Sequence, residues 1–194
     1  MVRRKSINMA VYINSVQITA DAAVEPVSRT DVKNWLRIDY TSDDTLIDSL
    51  ISAARQHLEK LTGRSLVNKL ITANIELSGQ NPKVWIVDLP YSPLVCVNSV
   101  TVKEGVNDTE ALTVNDDYEV IGGKLWLYIQ GIYTVVYQAG YGVLPNDLRN
   151  DMLTLVSWMY ENRGKQMNAD PKKSVTQYPS WEGLNYHQYR QVVI

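Results

Sequence analysis

The chain has few of the residues on which catalytic and metal sites depend. Its 194 residues include two histidines, His57 and His187, and a single cysteine, Cys96. A zinc or hydrolase site needs several ligands or partners that converge on one point, and two histidines in separate segments do not have that spacing. His57, beside Glu59 and Lys60, is interpreted as a surface residue. The adjacent acids Asp43 and Asp44 are better explained as helix capping than as metal ligands. We therefore predict no enzyme, no metal and no cofactor.

The single cysteine also excludes a disulfide framework. Cys96 lies in an apolar, strand-like run, which predicts a buried structural thiol in a protein made in a reducing cytoplasm. No apolar run approaches the roughly 20 residues of a membrane span. The basic start at residues 1–5 is followed by polar residues, which argues against a secretory signal, and Met9 is an alternative start.

Phenylalanine is absent, and no strong excess of one charge exists. The formal net charge is −2, which argues against tight non-specific binding of nucleic acid by the whole chain. The charge is uneven, however, because residues 65–140 contain four Lys or Arg against eight Asp or Glu. The aromatic residues present are 12 Tyr and 5 Trp, the types that are enriched at protein interfaces.

Residues 10 to 27 are predicted to be extended, and two helices in tandem are predicted between Glu25 and Gly63. Ser28 and Asp31 have the spacing of a capping pair at the start of a helix over about 29–37. Its expected apolar face consists of Val32, Trp35 and Leu36. A second helix over about 43–63 is indicated by apolar residues at helical spacing, and it ends at a glycine.

The periodicity changes to two after the second helix and returns to helical near Pro145. Residues 65–140 therefore predict an antiparallel β-rich region, with a tight hairpin at Gly122-Gly123. A third helix is predicted over 146–163, with Asn146 as its cap and Gly164 as its end. The predicted fold is α+β: a small helical bundle with an inserted β-rich region, a body over 1–164 and an extended C-terminal arm over 165–194.

Two groups of side chains are candidates for contact with a partner. The arm is polar except for large aromatic residues, which resemble interface anchors; we predict partner binding by Tyr178, Trp181, Tyr186, Tyr189 and the neighbouring Arg190. Three cations at helical spacing, Arg29, Lys33 and Arg37, share one face of the first helix. Their pattern fits a solvated face best, and contact with DNA phosphates or a neighbouring subunit is the functional alternative.

The order of several short motifs resembles the head–tail connector (adaptor, head-completion) proteins of tailed bacteriophages. The motifs are EPVS, LRID and DDTLIDSLISAARQHLEKLTGRSL, followed by DLPYSPL with VNSVTV, DYEV, YTVVYQAGYG and LPNDLRNDMLTLVSWMYENRG. Together they span roughly residues 16 to 164, and the segment from 165 to 194 matches least well.

This resemblance implies a structural virion protein at the neck, without enzymatic activity. It implies a ring of about twelve copies attached beneath the portal protein, with helices 43–63 and 146–163 in the ring body. The ring would extend the channel through which DNA passes without sequence-specific binding, and it would dock the next neck or tail protein. The arm would grip the portal or adjacent subunits.

Three other interpretations remain at this point. The chain is also compatible with another neck or tail-completion subunit, or with a DNA-binding accessory protein that uses Arg29, Lys33 and Arg37. An enzyme with a site built from carboxylates alone ranks last, because nothing pairs a base with a nucleophile.

Overall fold

The chain folds into two compact units. The computed structural model describes residues 9–21, 24–79, 83–103, 109–163 and 184–190. The described residues of Met1–Asp21 and Asn68–Gly140 form a β unit, and those of Ala22–Val67 and Tyr141–Val192 form a helical unit. The predicted α+β class is confirmed.

Among the described residues, the helical unit contains three α-helices and one short 3₁₀-helix. Helix α1 spans Arg29–Leu36, α2 spans Asp44–Thr62, α3 spans Asn146–Glu161, and the 3₁₀-helix spans Asn185–Tyr189. Side chains at helical spacing on α2 and α3 form one apolar core, because residues three and four apart share a helix face. Its most deeply buried members include Ile47, Ala54, Leu58, Leu148, Met152 and Val156.

The helix starts and ends follow largely from local chemistry. The predicted capping box is present at α1, where the Ser28 hydroxyl accepts from the Asp31 amide and the Asp31 carboxylate accepts from the Ser28 amide. The predicted glycine end of α2 is present as well, since Gly63 adopts a left-handed φ of 68°. The prediction for α3 was wrong at its cap, because Pro145 precedes the helix and Asn146 is its first residue.

The β unit is built from two antiparallel sheets around a second core. The five-stranded sheet has the order β1-β2-β8-β4-β5, and the three-stranded sheet has the order β3-β7-β6. The strands are β1 Met9–Ala20, β2 Lys69–Gly79, β3 Trp85–Val87, β4 Leu94–Lys103, β5 Thr109–Ala111, β6 Tyr118–Ile121, β7 Lys124–Leu127 and β8 Gly131–Ala139. Alternate residues of β2 and β8 are buried, which gives the period-two pattern of strands with one buried face.

The hairpin predicted at Gly122-Gly123 joins β6 to β7. Both glycines have positive φ, 60° and 75°, which is the conformation that a two-residue hairpin of this kind requires. By contrast, β1 was predicted only as an extended segment before the first helix. It is instead an edge strand of the larger sheet, where it pairs with β2 from Met9↔Gly79 to Ala20↔Leu70.

Three predicted side-chain positions differ from those observed. Cys96 is exposed rather than buried, because the register of β4 against β8 shifts between Leu94 and Cys96 and places its thiol outside the core. The predicted surface residue His57 is half-buried, and burial lowers its pKa. Trp35 was assigned to the apolar face of α1, yet half of its surface is exposed, whereas Val32 on the same helix is buried.

Candidate interaction surface

Two of the three predicted cations on α1 are neutralised by carboxylates of α2. The Arg29 guanidinium donates to Asp44 at 3.1 Å and also to Asp48, and the Lys33 ammonium donates to Asp44 at 2.8 Å. The hydrogen bond from Arg29 holds the pKa of Asp48 below its usual value, and the one from Lys33 does the same for Asp44. Lys33 also donates to the Tyr40 carbonyl at 2.6 Å. These contacts explain the stripe as an internal ion-pair network between the two helices.

Arg37 lies outside this network. Helix α1 ends at Leu36, and Arg37 follows in a left-handed conformation with φ of 57°, so its side chain leaves the face that Arg29 and Lys33 share. It is exposed, and no described side chain pairs with its guanidinium. Trp35, two residues earlier, is half exposed, so the end of α1 exposes both a large apolar ring and a cation that no described carboxylate neutralises. We call residues Trp35 and Arg37 the α1 tip.

A polar cluster that the sequence analysis missed joins the start of α2 to the end of α3. The Tyr160 hydroxyl donates to the Asp43 carboxylate and lies 2.8 Å from the Tyr40 hydroxyl. The Arg163 guanidinium sits 4.1 Å from the centre of the Tyr160 ring. The hydrogen bond with Asp43 raises the pKa of Tyr160. Tyr160 and Arg163 belong to the YENRG motif, which was the available signal for this cluster.

Part of the predicted arm packs on the helical unit of its own chain. Tyr186 is buried in the helical core, and the Arg64 guanidinium donates to the Tyr189 carbonyl. Tyr189 is half-buried and Arg190 is exposed, whereas Tyr178 and Trp181 lie outside the described residues. Partner binding by these five residues therefore stays a prediction. Because Tyr186 is buried, it would hold the segment on the helical unit and would not itself contact a partner.

A buried carboxylate of α3 holds the 3₁₀-helix. Asp151 is 2 % exposed and receives hydrogen bonds from the backbone amides of Asn185 and Tyr186. Burial raises the pKa of Asp151, and the two amides oppose that shift only in part.

The β unit contains an open groove with acidic and apolar walls. We call it the acidic groove; its volume is about 490 Å³, and it is lined by Val102, Lys103, Glu110, Leu112, Asp117, Ile129, Gln130 and Tyr133. The Asp117 carboxylate is fixed by the Thr113 amide at 2.8 Å, and the buried Tyr133 donates its hydroxyl to the Ile129 carbonyl at 2.6 Å. Burial and then the charge of Asp117 raise the pKa of Tyr133.

No arrangement for metal chemistry is found in the described part of the chain, where no three His, Cys, Asp or Glu side chains are grouped to hold a metal ion. Among the same residues, no helix has the length and apolar character that a membrane crossing requires. Asp43 is the N-cap residue of α2, in agreement with the capping prediction, but its carboxylate makes no capping bond and accepts from the Tyr160 hydroxyl instead.

Comparison with known proteins gives one family. Residues 30–116 match the model of the Phage gp6-like head-tail connector protein family. The resemblance to phage head–tail connectors is confirmed. The matched segment, residues 30–116, includes nearly all of α1, the whole of α2 and the strands β2 to β5, and thus the α1 tip together with the Glu110 and Leu112 wall of the acidic groove. No curated protein matches the chain.

Solved structures with a similar fold cover almost the whole chain. A chain in the neck of an empty GTA particle computed with C6 symmetry has a TM-score of 0.65 at 14% identity, covering 93% of this chain and 97% of that one. A chain in the virion of the native gene transfer agent particle has a TM-score of 0.67 at 14% identity, with coverage of 92% and 96%. A chain in the neck of the native GTA particle computed with C12 symmetry has a TM-score of 0.58 at 16% identity, with coverage of 92% and 97%. The fold that this chain shares with them therefore extends over both units.

Proposed function

We propose that this chain is a structural subunit of the virion neck, the connector between the head and the tail of a bacteriophage. The observation that carries the proposal is the match of residues 30–116 to the head–tail connector family. The fold likeness to chains in GTA neck and virion particles supports it, because it extends over more than nine-tenths of this chain. In this role the protein works by binding and shape, without catalysis.

The connector acts as a ring in this proposal. Two of the similar neck structures were computed with C6 and C12 symmetry, which favours a closed ring of about twelve copies. The body of each subunit would be the packed pair α2 and α3, whose shared core is closed by residues such as Ile47 and Met152. The ring would attach beneath the portal protein, extend the DNA channel and dock the next neck or tail protein.

The C-terminal arm is the proposed grip on the portal. The segment that ends in Tyr189 and Arg190 is held to the helical unit through Tyr186 and Asp151, so the rigid part of the arm would present these two residues at its surface. Tyr178 and Trp181 would supply further contacts along the preceding segment.

The alternative of a DNA-binding accessory protein is less well supported. Arg29 and Lys33 already pair with Asp44 and Asp48, so two of the three cations on which it relied would have to give up ion pairs to reach phosphates. A channel through which DNA passes should also expose few unpaired cations, because tight contacts with phosphates would slow the passage of the DNA.

The proposed position can be tested on assembled virions. An epitope tag on the chain, detected with gold-labelled antibody, should mark the junction of head and tail in electron micrographs. The same tag on the major capsid protein serves as the control and should label the whole head. Label at the tail tip, or chain found only outside purified virions, would contradict the proposal.

A further inference from the structure

We infer that the acidic groove of one subunit receives the α1 tip of the next copy in the ring, so that Trp35 and Arg37 of one chain contact Glu110 and Asp117 of its neighbour. The inference rests on the proposed ring and names the surfaces that close it. A ring needs a head-to-tail contact between two different patches of the same chain, and the α1 tip and the acidic groove are two such patches.

The α1 tip has the chemistry of an interface anchor. The Trp35 side chain is 50% exposed, whereas Val32 on the same helix is almost completely buried. The indole of Trp35 therefore buries only part of its apolar surface in its own chain. Arg37 differs from Arg29 and Lys33 in having no described carboxylate beside it. Trp and Arg are the residue types that most often dominate binding energy at interfaces, particularly when they enter a pocket.

The acidic groove has the complementary chemistry. Apolar side chains, among them Val102 and Leu112, can take an aromatic ring, and the carboxylates of Glu110 and Asp117 can take a guanidinium. Ile129 adds an apolar surface that is 62% exposed at the groove. A volume of about 490 Å³ is in the range of pockets that enclose whole ligands, so an indole ring and a guanidinium fit together.

Charge complementarity selects a second copy of this chain as the occupant. The surrounding segment 65–140 has eight acidic against four basic residues, while Arg37 adds a positive charge that forms no ion pair with any carboxylate in the described part of its own chain. Among the described residues that line the groove, Glu110 and Asp117 are acidic and Lys103 is basic. The two patches therefore attract each other between copies, and like patches do not.

The test uses two charge reversals in the full chain, Arg37→Glu and Glu110→Lys. Each alone sets like charges at positions 37 and 110 against each other at every contact, and we expect ring yield by mass photometry to fall at least tenfold. A 1:1 mixture of the two variants restores opposite charges at each contact of an alternating ring, so we expect rings to return. Lys60→Glu, an exposed charge reversal on α2, is the matched control and should assemble normally.

Trp35→Ala tests the apolar half of the contact without changing charge. We expect the affinity between copies to fall about 30-fold, the size of a strong interface anchor. Val143→Ala, which shortens an apolar side chain that is 90% exposed, should leave assembly unchanged.

The inference is overturned if Arg37→Glu forms rings as the unaltered chain does, or if the mixture assembles no better than either variant. In either case the ring itself would still stand, closed by other surfaces. An unaltered chain that forms no ring under any condition, with or without portal, would contradict the proposed function itself and would remove this inference with it.

Discussion

Replacement of Arg55 by methionine should destabilise the helical unit severely, because this guanidinium compensates a buried carboxylate. The side chains of Arg55 and Glu59 are only 5% and 9% exposed, and they form an ion pair at 3.3 Å along α2. Arg55 also donates to Glu25 at 2.8 Å. Methionine keeps the apolar stem and most of the volume, so the change removes mainly the charge.

The size of the loss follows from burial. Removal of one partner of a buried ion pair typically costs about 3 to 5 kcal/mol, because the remaining charge is left without compensation. Glu25 is 34% exposed on its side chain and can be hydrated again, so the lower end applies, about 3 kcal/mol. Hydrogen exchange of the α2 amides reports on this unit alone, and it should accelerate about 100-fold.

Two further variants make the reasoning refutable. The double variant Arg55→Met/Glu59→Gln should be more stable than Arg55→Met alone, because the uncompensated charge is gone and the amide oxygen can still accept from the Leu66 amide. Lys124→Met breaks an exposed pair with Asp88 and should cost less than about 0.5 kcal/mol. A loss below about 1 kcal/mol for Arg55→Met, or a double variant less stable than the single, would refute this account.

Three smaller perturbations test the local arguments. Ser28→Ala removes half of the capping box and should cost about 1 kcal/mol, measured by exchange of the first α1 amides. Gly123→Ala should lower the free energy of unfolding of the β unit by about 1 kcal/mol, measured in urea. The cost comes from the positive φ alone, because an added Cβ meets no atom within 4 Å. An unchanged urea midpoint would contradict the turn assignment. Because the pKa of Asp151 is raised from its ordinary 3.8, its contribution to stability is present below that pH and is lost as the pH rises through the folded-state pKa. Asp151→Asn should abolish that loss of stability. After correction for intrinsic rates, amide hydrogen exchange at residues 185–189 should accelerate between pH 4 and 7 in the unaltered chain and should not accelerate in the variant.

The elements that local chemistry determines could be predicted from the sequence. The capping pair Ser28 and Asp31, the left-handed Gly63 and the Gly122-Gly123 turn each depend on residues within one turn of chain, and each is present in the structure. The order of the motifs also sufficed for the family resemblance, which the match over residues 30–116 confirms.

Features that depend on distant pairing could not be predicted. The pairing of β1 with β2 brings together residues about 60 positions apart, such as Ile13 and Ile75, and no local pattern specifies that partner. Cys96 is exposed because of a register shift that sequence periodicity does not show. The ion pairs of Arg29 left a clearer signal in the sequence. Asp44 and Asp48 are four residues apart on α2, so they form one acidic face that a cation of the neighbouring helix can reach.

The central claim, that the chain is a ring-forming connector beneath the portal, is tested most directly by native mass spectrometry of the full chain alone and with the portal protein of the same phage. The account predicts a closed oligomer of about twelve copies that binds the portal, already formed or formed on contact with it. A chain that stays monomeric in the presence of portal, and does not associate with it, would contradict the account.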